Sequence, residues 1–220
     1  MKKQSYVCSK VLPFFIILLA VSGTQTKANT LVEAALDNNS HAVRDTATFA
    51  AGCFWCVEEQ FKQLEGVTAV ISGYTGGHVA HPNYAQVCTG NTGHAEACNI
   101  IYDPAKISYD ELLAAFFVAH DPTQLNRQGN DVGTQYRSAI FFHTAEQKKL
   151  ASFYIKRLNE EGAYNGRIVT QLSPYRAFYK AEDYHQNYYD NNQTQPYCQL
   201  VVKPKLDKFK KVFKEKLKDK

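Results

Sequence analysis

Residues 48–64 read Thr-Phe-Ala-Ala-Gly-Cys-Phe-Trp-Cys-Val-Glu-Glu-Gln-Phe-Lys-Gln-Leu, and this stretch decides the fold. Thr48 to Ala51 reads as a short strand. Val57 to Leu64 reads as a helix, with Val57, Phe61 and Leu64 on one face. Gly66 stops that helix. Between strand and helix sit Gly52 and Cys53, so a thiol stands where a helix begins.

Working outward, Val67 to Tyr74 is strand-like, and Thr75 to Gly93 is a long loop rich in Gly, His and Asn. Loops of that length usually carry function. Ala95 to Tyr102 reads as a strand, and Ser108 opens a helix through a capping box with Glu111. A second long loop runs from His120 to Tyr136. Arg137 to His143 reads as a strand, Ala145 to Glu161 as a helix, and Arg167 to Leu172 as a strand. The order β-α-β-β-α-β-α-β predicts an α+β two-layer sandwich: a ferredoxin-like split βαβ core, long loops and helices on one face of the sheet. Past Lys203 the chain is lysine-rich, with Leu206, Phe209, Phe213 and Leu217 at helical spacing. A docked C-terminal helix with a wet lysine face is preferred to a helix lying on a membrane surface.

The first 46 residues do not look like fold. Lys2, Lys3 and Lys10 precede an apolar run from Val11 to Val21, followed by small and polar residues around Thr26-Lys27-Ala28. The run is too short to span a bilayer and fits a secretory signal over residues 1–29, with 30–46 as linker and 47–220 as the working domain. A retained membrane anchor is the competing reading. Cys8 precedes the apolar run, which disfavours a lipoprotein. The expected location is therefore outside the cytoplasm, periplasmic or secreted, with no membrane association after signal removal. The net charge of +4 belongs to the leader: residues 1–29 hold four lysines and no acid, leaving 21 basic against 21 acidic residues. That balance gives no case for a nucleic-acid partner. The domain keeps Cys53, Cys56, Cys88, Cys98 and Cys198. An odd count suits a working thiol better than a purely structural disulfide framework. Cys88 and Cys98 read as packing residues.

Cys53 at a helix N-terminus faces free N–H groups and a partial positive charge, which stabilise a thiolate and lower its pKa. Cys56 lies one turn on, within reach of a disulfide. A buried pair, a structural disulfide or half a zinc site also fit C-x-x-C. No second such pair exists, and His78-x-x-His81 lacks partners for a closed site. Glu96 starts a strand, Tyr84 lies in the first loop, and Asp131 and Tyr136 lie in the second. A thiolate beside a carboxylic acid and phenols suits attack on an oxygen-bearing atom, the acid supplying the proton that leaves with oxygen. Phe54 and the single tryptophan, Trp55, offer an apolar wall for a group with no hydrogen-bonding handle.

Five ordered motifs resemble peptide methionine sulfoxide reductase A: Gly52-Cys53-Phe54-Trp55, residues 73–77 (Gly-Tyr-Thr-Gly-Gly), Gly93-His94-Ala95-Glu96, residues 133–138 (Gly-Thr-Gln-Tyr-Arg-Ser) and residues 182–186 (Glu-Asp-Tyr-His-Gln). The resemblance runs from about Thr48 to Cys198. It implies that Cys53 attacks the sulfoxide sulfur of oxidised methionine, that Glu96 protonates the oxygen with help from Tyr84 and Tyr136, and that Cys53 becomes a sulfenic acid. It implies a methyl pocket of Phe54 and Trp55, a substrate- or water-positioning role for Asp131, and specificity for the S epimer. His185 matches the family motif and is expected to hydrogen-bond at the substrate site.

Many members of the family it resembles have Gly or another residue at the position of Cys56 and resolve the sulfenic acid with a cysteine near the C-terminus, about where Cys198 falls. Cys56 is expected to resolve first because it is close in sequence. Cys198 has a secondary role, since the tail has to approach the first helix, and a relay by thiol exchange joins the two. No bound cofactor is expected, only an external thioredoxin-like dithiol. The substrates expected are methionine sulfoxide in proteins or peptides, or the free amino acid. The competing enzyme is a thioredoxin-type C-x-x-C disulfide oxidoreductase, for which Phe54-Trp55 is an unusual dipeptide and Glu96 has no task. A binding module without turnover and a zinc module are weaker readings.

Overall fold

The strand-to-helix junction forms as the sequence dictates. In β1 (Asp45–Ala51), alternate residues face opposite sides of the sheet, so Ala47, Phe49 and Ala51 join the main core while Ala50 joins a smaller cluster behind the sheet. Gly52 then takes φ +89°, and a Cβ there would meet the Gln128 side chain at 2.6 Å. Cys53 is the N-cap of α1 (Phe54–Lys62), its carbonyl accepting the first helical bonds from Cys56 and Val57. The computed structural model describes residues 44–219. The leader over residues 1–29 and nearly all of the 30–46 linker lie outside the described residues.

The remaining elements are β2 (Val67–Thr75), α2 (Tyr84–Cys88), β3 (Ala95–Tyr102), α3 (Tyr109–Ala119), β4 (Arg127–Gln128), β5 (Asp131–Val132), β6 (Ser138–Phe142), α4 (Ala145–Glu160), β7 (Gln171–Pro174), β8 (Phe178–Lys180), α5 (Tyr188–Asn191) and α6 (Lys203–Val212). The six-stranded sheet runs β7-β6-β1-β3-β2-β8. Its middle is the split βαβ core: β3 inserts antiparallel between β1 and β2, and β6 pairs antiparallel on the other side of β1. This is the predicted α+β sandwich. Phe49, Phe61, Leu112, Phe116 and Ile140 fill the layer between sheet and helices. The capping box at Ser108 and Glu111 forms as read, with both reciprocal hydrogen bonds present.

Several details differ from the sequence reading. The last strand of the predicted set begins at Gln171, not Arg167, and pairs parallel to β6. Residues 167–170 instead follow the end of α4, where Ile168 N–H bonds the Asn159 side chain and Val169 N–H the Pro122 carbonyl. The two long loops are not structureless. The first holds α2, started by an Asn83 capping box with Gln86. The second holds the β4–β5 ribbon and a 3₁₀ turn over Thr134–Tyr136. Strand β8, absent from the sequence reading, lies on the edge of β2.

The C-terminal segment wraps α1. Leu206 and Phe209 are buried as expected, and Phe209 meets Phe61 at 6.1 Å between ring centroids. Helix α6 ends at Val212, so Leu217 contributes through a bridge to Leu64 instead of a helical turn. This wrapping buries α1 on nearly every side: Cys56, Glu58, Glu59 and Gln60 are as hidden as Val57 and Phe61. No helix among the described residues is long and apolar enough to cross a membrane.

Candidate active site

Four segments of the chain meet at the N-terminus of α1. Cys53, Phe54, Trp55, Tyr84, Glu96, Asp131, Tyr136 and Tyr197 line one depression of about 210 Å³. Such a volume suits one side chain better than a large ligand. Every catalytic residue expected from sequence is in it, together with both members of the apolar wall.

Glu96, second residue of β3, is 1% exposed, and its Oε2 accepts the backbone N–H of Phe54 at 3.1 Å. Burial, and then the nearby Cys53 sulfur, push its carboxyl well above the usual carboxylate range. The shift favours the neutral acid, the form that has a proton to give. Tyr84 and Tyr136 reach the same space from α2 and the 3₁₀ turn. Burial raises both phenols above the usual tyrosine range, so both remain hydrogen-bond donors.

The sulfurs correct one expectation. The helix N-terminus does not lower the Cys53 thiol. Cys53 is only 5% exposed, and burial followed by the adjacent Cys56 pushes its thiol well above the usual range, against smaller help from the Tyr197 hydroxyl and the Trp55 N–H. Desolvation outweighs the helix end. The low member of the pair is Cys56: the hydrogen bond with Cys53 lowers it most, burial opposes, and Lys205 adds to the lowering. Of the two sulfurs, Cys56 is therefore the one that loses its proton more readily.

Cys198 corrects a second. The tail does not have to travel to α1. It is already there, in a turn of π-helix over Cys198–Val202, and Cys198 is fully buried in one cluster with Cys53, Cys56 and Val202. All five cysteines of the described domain are free thiols. Cys98 is buried and packs as expected, donating toward the Phe54 carbonyl at 3.6 Å, whereas Cys88 is exposed at the end of α2 and is not a packing residue.

Trp55 is held on three sides. Its ring stacks on Tyr188 at 3.6 Å and 6° between planes, Tyr197 meets it edge-on at 5.7 Å, and its indole N–H donates to His185 Nδ1 at 3.1 Å. His185 is 1% exposed, and burial lowers its pKa, with Glu182 opposing, so it accepts as a neutral ring. It supports the apolar wall from behind, since it does not line the depression itself. Asp131 Oδ2 accepts the Tyr197 hydroxyl at 2.8 Å, so part of its capacity is already committed to the tail.

Residues the sequence reading left without a task form the frame. Glu182 accepts from the Tyr84 N–H and the Tyr74 hydroxyl, both at 2.8 Å, fixing the start of α2 against β2. Gln186 bonds both the N–H and the carbonyl of Ser72, as a neighbouring strand would. Arg137 ties the Tyr136 turn to the start of β3 through Thr134 and Gly93 carbonyls. Tyr188, Tyr197 and Lys205 were missed as well. Only the position of Tyr197 beside Cys198 hinted at the site.

Comparison with known proteins agrees with this geometry. The family model described as peptide methionine sulfoxide reductase matches residues 45–217. The chain is 53% identical to peptide methionine sulfoxide reductase MsrA of Haloquadratum walsbyi over 173 residues, covering 79% of this chain and 98% of that one. It is 52% identical to the protein of the same name from Acinetobacter baumannii, with the same coverage. Among solved structures, reduced Mxr1 of Saccharomyces cerevisiae superposes with a TM-score of 0.67 at 34% identity, covering 73% of this chain and 92% of that one. Methionine sulfoxide reductase A of Corynebacterium diphtheriae gives 0.63 at 37% identity, covering 71% and 78%. The chain belongs to the peptide methionine sulfoxide reductase family, and is an oxidoreductase of that class.

Proposed function

We propose that this chain reduces the S epimer of methionine sulfoxide, free or in proteins, through a sulfenic acid on Cys53. The observation that carries the reading is the pairing of a buried Glu96, its carboxyl pushed toward the neutral form, with the Cys53 sulfur in one small depression. The substrate's methyl group lies against Phe54 and Trp55, and its oxygen points to Glu96, Tyr84 and Tyr136. Cys53 attacks the sulfoxide sulfur, passing its proton to Cys56. Glu96 protonates the oxygen, which moves to Cys53 as hydroxyl while methionine leaves. The sulfoxide sulfur gains two electrons and Cys53 loses two.

Cys56 then resolves the sulfenic acid. Cys198 then receives the bond by exchange, a reading supported by its burial in the same cluster, and a thioredoxin-like dithiol regenerates the thiols. Asp131 holds Tyr197 beside the pair and offers its second oxygen to substrate or water. The thioredoxin-type oxidoreductase reading is not favoured, because it leaves an acid that is neutral, buried and adjacent to the thiol without a reaction to serve. The basic and apolar leader over residues 1–29 supports export. N-terminal sequencing of protein recovered from outside the cytoplasm tests that part; a mature chain that still begins at Met1 contradicts it.

The test of the activity is turnover of each epimer of a methyl sulfoxide with a dithiol reductant, wild type beside Cys53→Ser. Reduction of the S epimer only, abolished in the variant, supports the reading. Equal turnover of both epimers, or activity surviving in Cys53→Ser, rejects it.

A further inference from the structure

Lys205 lies in the first turn of α6, and its ammonium points at Cys56 Sγ from 3.9 Å. Among the described residues, no carboxylate pairs with the Lys205 ammonium, and its side-chain partner is this sulfur. The placement is built, since Gln60 on α1 donates through Nε2 to both the Ala119 carbonyl and the Lys205 carbonyl, binding the ends of α3 and α6 to the helix that carries Cys56.

We propose that Lys205 is a catalytic residue of the resolving step, its ammonium stabilising Cys56 as the anionic sulfur that attacks the Cys53 sulfenic acid. The inference rests on the sulfenic acid reading above and adds to it a named cation. In this step a bond forms between the Cys56 and Cys53 sulfurs and the sulfur–oxygen bond of Cys53 breaks. The proton that Cys56 took from Cys53 leaves with the hydroxide as water, so no outside oxidant enters.

The charges facing Cys56 explain why a cation is required. Asp131 on β5 and Glu96 on β3 both disfavour an anion there, and burial does so more strongly than either. Cys53 offers a hydrogen bond in the reduced state, but once oxidised it no longer donates a thiol proton to Cys56. The Lys205 ammonium keeps its place beside the Cys56 sulfur in both states of Cys53. His120, at the end of α3 and within the field of Lys205, is no second cation: burial lowers its pKa to about 4. Tyr197 stays protonated, because burial and then the two sulfurs hold its phenol far above the usual range. Lys205 also lines a cavity of about 480 Å³ with Asp131, Tyr197 and Leu200.

The experiment compares wild type, Lys205→Met, Lys205→Arg and, as a control off the site, Lys203→Met. Thiolate absorbance of each reduced protein is titrated against pH. Disulfide closure is then followed after one equivalent of a methyl S-sulfoxide without reductant, with the bond mapped by mass. The expected result is that Lys205→Met raises the first thiolate midpoint by about one unit and slows closure at neutral pH about tenfold. Lys205→Arg restores both in large part, and Lys203→Met matches wild type. A wild type that forms no Cys53–Cys56 bond overturns the underlying resolving reading. A wild type that forms it, with Lys205→Met unchanged in midpoint and closure rate, overturns the role of Lys205. Loss confined to multiple turnover with a protein reductant also overturns it, and assigns Lys205 to reductant docking.

Discussion

The backbone N–H of Phe54 donates to Glu96 Oε2 at 3.1 Å, locking the residue after the nucleophile to the acid that serves it. A residue of α1 and a residue of β3, 42 positions apart, are thereby set as one unit. Glu96→Gln keeps an acceptor for that bond and removes the proton. The expected result is a fall in kcat of about 10²- to 10⁴-fold with little change in melting temperature. In the wild type, kcat declines as pH rises through the raised Glu96 pKa, because the neutral acid is the active form. A kcat–pH profile of both proteins checks this; the alkaline limb due to Glu96 vanishes in the variant.

Glu58 makes a stability prediction with a definite sign. Burial raises its carboxyl to about 7, against a hydrogen bond from the Asn187 N–H at 2.9 Å. A raised pKa means the folded state holds the proton more tightly, so the benefit is full below the unfolded pKa and is lost as pH rises through about 7. Glu58→Gln retains the acceptor and removes the cost of the charge. Denaturant melts at acid and alkaline pH are expected to coincide at the acid end. At the alkaline end the variant gains stability, by about 3 kcal/mol at most.

His185 is expected to act through Trp55. His185→Phe leaves the indole N–H unpaired in a nearly closed site, at a cost of about 1–3 kcal/mol in unfolding free energy. The loosened wall raises KM more than it lowers kcat. Steady-state kinetics and a thermal melt measure both effects, and His185→Gln, which restores an acceptor, recovers part of each.

The only tryptophan lies between the sulfur cluster and the stacked Tyr188 ring, so its emission reports the redox state of the pair. Oxidation by one equivalent of sulfoxide is expected to change the fluorescence in step with methionine release. Reduction by dithiol reverses it. In Cys56→Ser the change lags or is lost while methionine release persists.

What could be read in sequence was local. Thr48 to Leu64 announced strand, tight turn and helix because apolar spacing and Gly52 are decided within a few residues. Cys53, Glu96 and Tyr136 were legible from their chemistry and motif. The tail was not. Tyr188, Cys198 and Lys205 reach α1 across more than a hundred positions, and no periodicity records such a contact. The sequence reading likewise gave Glu58 and Glu59 no place, and both are buried where the tail wraps α1. The same cover reversed the expected titration of Cys53: a helix end argues for a lower pKa, and desolvation argues harder for a higher one. Strand β8, three residues long, is too brief to carry a pattern.

The most direct test of the central claim uses a chain with Cys56 and Cys198 both changed to Ser, incubated with one equivalent of S-epimer methionine sulfoxide and no reductant. The account predicts one methionine released per chain and one oxygen atom added, mapped by mass to Cys53. Release without oxygen on Cys53, or oxygen there without release, contradicts it.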